Sequence, residues 1–170
     1  MHRRQFIKTT SAAIGYTTMG ASLMASLKSQ ATPTQGALIF DAMGEIREVY
    51  PRKLIREILD SGLNAITVTL CDPKTFELEA YETGKEGIAH YDRLILKHHD
   101  LYLKALHTVE IDKARKKNKL AIFYLFQNST PFGRNLDLVD TFYNLGVRST
   151  QITYNYQNWA GAGCKERTGA

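Results

Sequence analysis

A chain of 170 residues suffices for one domain with a real core, and its 44% apolar and 23% charged shares are ordinary for a globular protein. The net charge of +5 first suggests an anionic partner, but Arg3, Arg4, Lys8 and Lys28 lie within residues 1–31, which hold no Asp or Glu. Removing these four from +5 leaves +1, so no nucleic-acid partner is expected, and the later basic run KARKKNK at 113–119 reads as a solvated helix end. Two cysteines, Cys71 and Cys164, are too few for a disulfide framework and have no zinc-finger spacing, which leaves one bridge or two thiols.

The first 31 residues have a charged start followed by small or mildly apolar residues, with too much Thr, Ser and Gly for a stable membrane span. Arg3-Arg4-Gln5-Phe6-Ile7-Lys8 resembles a twin-arginine export signal, and Ser29-Gln30-Ala31 suits a small-x-small cleavage site. The alternative is an uncleaved N-terminal anchor. The resemblance implies a bacterial protein handled by the twin-arginine translocase and delivered folded to the periplasm or cell envelope. Residues 32–36 then read as a linker, ahead of a domain over 37–170.

Along that domain, Ala37 to Phe40 predicts a strand ending at Asp41. PRKLIREILDS, 51–61, predicts a helix with Pro in its first turn, Leu54, Ile55, Ile58 and Leu59 on one face, and Gly62 as a stop. The β-branched run NAITVTL, 64–70, predicts a second strand. After a polar insertion, 71–87, the spacing of Ile88, Tyr91, Leu94, Ile95, His98, Leu101, Tyr102, Ala105 and Leu106 predicts one long amphipathic helix. A short helix over Val109 to Lys117 follows. LAIFYLF, 120–126, is uninterrupted apolar and reads as a strand buried on both faces. Asn135 caps a helix with Leu138, Val139, Phe142 and Leu145, closed by Gly146, and Arg148 to Tyr154 forms a fourth strand.

Strands alternating with helices predict a parallel α/β sheet with helical crossovers. A doubly wound sheet and a (β/α)8 TIM barrel both remain open. No Gly-x-Gly-x-x-Gly follows a strand and no P-loop is present. The unusual polar residues gather in the loops after the strands, DAMGEIRE, CDPKTFE, QNSTPFG and NYQNWAGAGCKERT, where barrels carry their chemistry. This favours an incomplete barrel made of the first four β/α units.

The segment GVRSTQITYNYQNWAGAGCKERT, 146–168, resembles the membrane dipeptidase family (renal dipeptidase-like, peptidase family M19), as does QNSTP at 127–131. The resemblance spans residues 37–170. It implies a barrel of the metal-dependent hydrolase type, a dipeptide-like small-molecule substrate, and water activated between two zinc ions. It also implies that the chain is an N-terminal half that stops in a barrel-mouth loop, with a homo-oligomer expected from its unpaired sheet edges. The family begins its site with Asp-Gly-His-x-Asp, whereas this chain reads Asp41-Ala42-Met43-Gly44-Glu45, so Met43 and Glu45 occupy ligand positions. Gln127 stands where the bridging Glu would be, and Tyr154 where many members have a substrate-facing His.

A thioether and a neutral amide are poor partners for a zinc pair, which wants imidazole and anionic oxygen. Glu45 therefore reads as a single-metal ligand or a general base, or as a solvated loop residue. Gln127 joins it as a catalytic candidate. Gln127 and Asn128 also suit amide hydrogen bonds to substrate, or a helix cap. Tyr154, Asn155 and Asn158 are candidate substrate contacts, or satisfy their own loop. Cys164 reads as a packed thiol, and Glu166 with Arg167 as an ion pair that fixes the loop. Two functions follow: a dipeptidase-like metallohydrolase, or an altered barrel relative that binds a small polar ligand without catalysis.

Overall fold

Burial explains why β4, Leu120–Phe126, sits in the middle of the sheet. All seven of its residues are apolar or aromatic and six are buried, the buried Leu, Ile and Phe side chains contributing roughly 1.5–3 kcal/mol each when taken from water. An edge position would forfeit much of that. The computed structural model describes residues 36–167. The signal expected over 1–31, and all but the last residue of the expected linker, lie outside the described residues.

The element order is β1 Ile39–Gly44, α1 Arg52–Asp60, β2 Leu63–Thr69, α2 Glu77–Lys97, β3 Tyr102–Lys104, α3 Val109–Lys116, β4, a 3-10 turn Thr130–Phe132, α4 Asp137–Leu145 and β5 Val147–Thr150. Every ladder between these strands is parallel. β1 pairs β2, and β2 pairs β4 from Ala65↔Ala121 to Thr69↔Leu125. The far edge of β4 is shared in succession. β3 takes Leu120 to Ile122, and β5 takes Tyr124 to Phe126.

The two faces of the sheet are covered unequally. Ile66, Val68, Leu120, Ile122, Tyr124 and Phe126 join one core with Ile55 and Leu59 of α1, Ile88, Tyr91 and Leu94 of α2, and Phe142 of α4. Three of the four helices thus cover one face, as around a barrel, while α3 packs on the other face through Ile111 and Ala114. The other face is covered near its N-terminal end, where Ala65 and Ala121 meet Ala105, Ile111 and Ala114. Phe40 meets Phe123 edge to face at 5.7 Å, although Phe40 is 46% exposed. The fold is α/β with a partial barrel sheet.

The expected long helix requires correction. α2 begins at Glu77, inside the stretch read as a polar insertion, and ends at Lys97. Leu101, Tyr102 and Ala105 are buried because Tyr102–Lys104 pairs with β4 as β3, which the helical spacing of these residues concealed. Within the helix, Gly87 allows a close approach to the end of β2. A Cβ there would lie 1.9 Å from the Leu70 carbonyl oxygen, so only glycine lets the helix backbone approach the end of β2 this closely.

Smaller differences follow from pairing. β1 extends through Gly44, and β5 stops at Thr150. Asn135 accepts the Asp137 N–H at 3.0 Å in a turn just ahead of α4, while Leu136 occupies the cap position. Val139 and Leu145 remain exposed on the face expected to be buried, and Phe142 anchors α4 instead. Cys71 and Cys164 are both free thiols. No helix among the described residues is long and apolar enough to cross a membrane.

Candidate functional site

The C-terminal ends of β1, β2 and β4 open onto a cleft of about 560 Å³ lined by Met43, Glu45, Thr69, Cys71, Asp72 and Gln127, among others. A register irregularity between Asp41 and Gly44 shapes its first wall. Asp41 accepts the Met43 N–H at 3.0 Å, which turns the strand end and re-aims the Met43 side chain. Gly44 leaves room beside it for two side-chain ends. A Cβ at this position would come within 2.5 Å of Asp41 Oδ2 and 2.4 Å of Ile66 Cδ1.

Three side chains from three strand ends converge here. Gln127, directly after β4, donates through Nε2 to Met43 Sδ at 3.6 Å. Gln151, directly after β5, donates to the same sulfur at 3.8 Å. Met43 is 43% exposed in the mouth. Gln151 was not singled out from the sequence. Its only local signal is its place one residue past the end of β5, since its neighbour across the mouth is set by strand pairing.

Glu45 lines the cleft, but its carboxylate binds Arg47 at 2.9 Å in an exposed ion pair. Such a pair contributes little stability in water, so the carboxylate remains free to exchange partners. Cys71 sits at the cleft wall with its thiol pushed up to about 11, first by burial and then by the nearby Asp72 carboxylate. At neutral pH it stays protonated and is no nucleophile.

The remaining sequence candidates serve their loops. Asn128 is buried; its Nδ2 donates to the Pro73 carbonyl at 2.7 Å, and its Oδ1 accepts both the Thr130 hydroxyl at 2.6 Å and the Thr130 N–H at 3.2 Å. Asn158 donates to the Ile152 carbonyl at 2.8 Å and the Ser129 hydroxyl at 3.2 Å, and accepts the Ala160 N–H at 2.8 Å. Asn155 Oδ1 accepts from Cys164 Sγ at 3.3 Å. Tyr154 is 38% exposed, and its carbonyl accepts the Cys164 N–H. Glu166 fixes the loop, though through the backbone N–H groups of Gln157 and Gly163 rather than through Arg167. A second cleft of about 430 Å³ lies between Phe76, Glu77, Thr130, Gln157, Asn158 and Trp159. The Arg134 guanidinium stacks 3.6 Å from the Trp159 ring centroid.

A family model described as membrane dipeptidase (peptidase family M19) matches residues 42–170. The chain belongs to the membrane dipeptidase family. Among solved structures it is similar to an amidohydrolase from Pseudomonas aeruginosa, at 30% identity and a TM-score of 0.67, over 76% of this chain and 38% of that one. The probable dipeptidase PvdM from Pseudomonas aeruginosa matches at 15% identity and a TM-score of 0.59, over 73% of this chain and 37% of that one, and supports the fold. The chain thus spans 38% and 37% of the lengths of these two proteins. No curated protein matches it.

Membrane dipeptidases are typically zinc enzymes, so the donors at this mouth must be tested against that metal. β1 and the ends of β4 and β5 bring together a thioether and two carboxamides. Among the described residues, no three His, Cys, Asp or Glu side chains cluster in a way that would hold a metal ion. A bridging ligand between two dications must be anionic, and Gln127 is neutral. The residues present here do not fit a zinc pair.

Proposed function

We propose that the protein acts on small peptides as a hydrolase of the dipeptidase type, and that the mouth around Met43, Glu45 and Gln127 forms part of its binding face. The observation that carries this reading is the family match over residues 42–170, joined to a polar cleft at the strand ends where barrels bind substrate. Glu45 is the carboxylate of β1's end that can leave Arg47 to accept a proton from water. Because the donors do not fit a zinc pair, no step is routed through metal. The twin-arginine-like leader supports export to the periplasm or cell envelope.

The test is release of free amino acids by the full-length protein from a panel of dipeptides, after metal removal and after zinc addition. Turnover is expected, with Glu45→Gln slowing it about 100-fold or more if Glu45 is the base. Absence of turnover in both states overturns the hydrolase reading. That outcome would leave a second reading, a barrel relative that binds small polar ligands without cleaving them. Met43 and Gln127 at the usual ligand positions are the observation that favours it.

A further inference from the structure

We propose that Gln127 and Gln151 form a pair of carboxamide grips that hold an uncharged amide group of the ligand, with Met43 as the apolar surface between them. The inference rests on the reading of this mouth as a small-peptide site and names what it recognises. Both Nε2 groups converge on one thioether, at 3.6 and 3.8 Å. Sulfur is a weak acceptor, so neither donor is well used in the free protein. Each carboxamide also carries an oxygen for which no hydrogen bond is found among the described residues. A carboxamide presents one acceptor beside its donors, the complement of the C=O and N–H of a peptide amide.

Charge points the same way. Among the described residues, the charged side chains lining the cleft are Glu45 and Asp72. The Arg47 guanidinium beside the cleft is held by Glu45 at 2.9 Å, so a free ligand carboxylate would compete with Glu45 for it, whereas the neutral amides suit a neutral group. The thioether is polarisable and unbranched, so it suits an apolar side chain or methyl group carried beside the amide. The mouth therefore favours a blocked or internal amide over the carboxylate end of a free dipeptide.

The experiment is calorimetric binding of two probes to the full-length protein, N-acetyl-alanine-N′-methylamide and zwitterionic Ala-Ala, with zinc content measured on the same samples. The blocked probe should bind at least as tightly as Ala-Ala. Gln127→Leu and Gln151→Leu should each weaken it roughly five- to tenfold, the worth of one lost hydrogen bond. Both glutamines are only half buried, and a melting curve checks that the variants fold. Gln127→Glu, isosteric but unable to donate, should weaken the blocked probe as well. Tighter binding of Ala-Ala, or a blocked probe indifferent to all three variants, overturns the inference and leaves the proposed function standing. About two equivalents of zinc, lost in Gln127→Leu, also overturns it. Failure of both probes to bind overturns the inference and the small-peptide reading together.

Discussion

At the scale of single residues, environment separates groups that composition treats alike. Cys71 and Cys164 are both free, but Cys71 is partly buried with its thiol pushed up to about 11, while Cys164 is exposed. The thiolate is the reacting species. A disulfide reagent at pH 8 should therefore modify Cys164 rapidly and Cys71 only slowly, and denaturation should equalise them. Equal rates in the folded protein would contradict the packing at the end of β2. Met43 and Gln127 show how much of the site was legible. Their positions could be read against the family pattern, including the poor fit to zinc. Their direct contact could not, because residues 84 apart meet only through the pairing of β1, β2 and β4.

At the scale of elements, the clearest departure is α2. Apolar residues recur at helical spacing from Ile88 through Leu106, yet the helix ends at Lys97 and the chain returns as β3. Three ladder partners on β4, and burial of Leu101 and Tyr102, outweigh continuation of a helix whose next residues are His98, His99 and Asp100. Lys104 then bonds Asp92 of α2 at 2.7 Å, and Tyr124 of β4 donates to the same carboxylate at 2.7 Å, which ties helix to sheet. α2 lies against the end of β2 through backbone contact at Gly87. Gly87→Ala should destabilise the protein by roughly 1–3 kcal/mol through overpacking against the Leu70 carbonyl. A urea midpoint unchanged from the parent would show that the helix can shift away at little cost.

At the scale of the molecule, the core contains tyrosines that resist ionisation. Tyr102 is raised from 10.0 to about 12, chiefly by burial, and Tyr91 and Tyr124 are also raised, burial again leading. In the folded state these phenols stay neutral after their unfolded counterparts have lost a proton. Above about pH 10 the unfolded chain thus binds fewer protons than the folded one, and stability falls as pH rises. Below that pH both states are protonated and the tyrosines contribute no slope. Urea midpoints should therefore begin to fall near pH 9, where the unfolded Cys71 thiol ionises, and drop more steeply from about pH 10 through pH 11, with Tyr102→Phe making the later drop shallower. A flat profile to pH 12 would argue against the burial seen for all three rings.

Much of the fold follows from local sequence. β4 announces itself as a doubly buried strand and α1 as an amphipathic helix, because composition and short-range periodicity carry these signals, while the 146–168 segment carries a motif that resembles the membrane dipeptidase family. Tertiary structure decided the rest. It ended α2 early, set α1, α2 and α4 on one face of the sheet, and added β3 beside β5 on one edge of β4. It also turned Glu45 toward Arg47 and brought Gln151 to the sulfur that Gln127 already touches. These outcomes depend on register and pairing between segments far apart in the chain. No local pattern encodes them, since a side chain's spacing tells which face it takes but not what the opposite strand places against it.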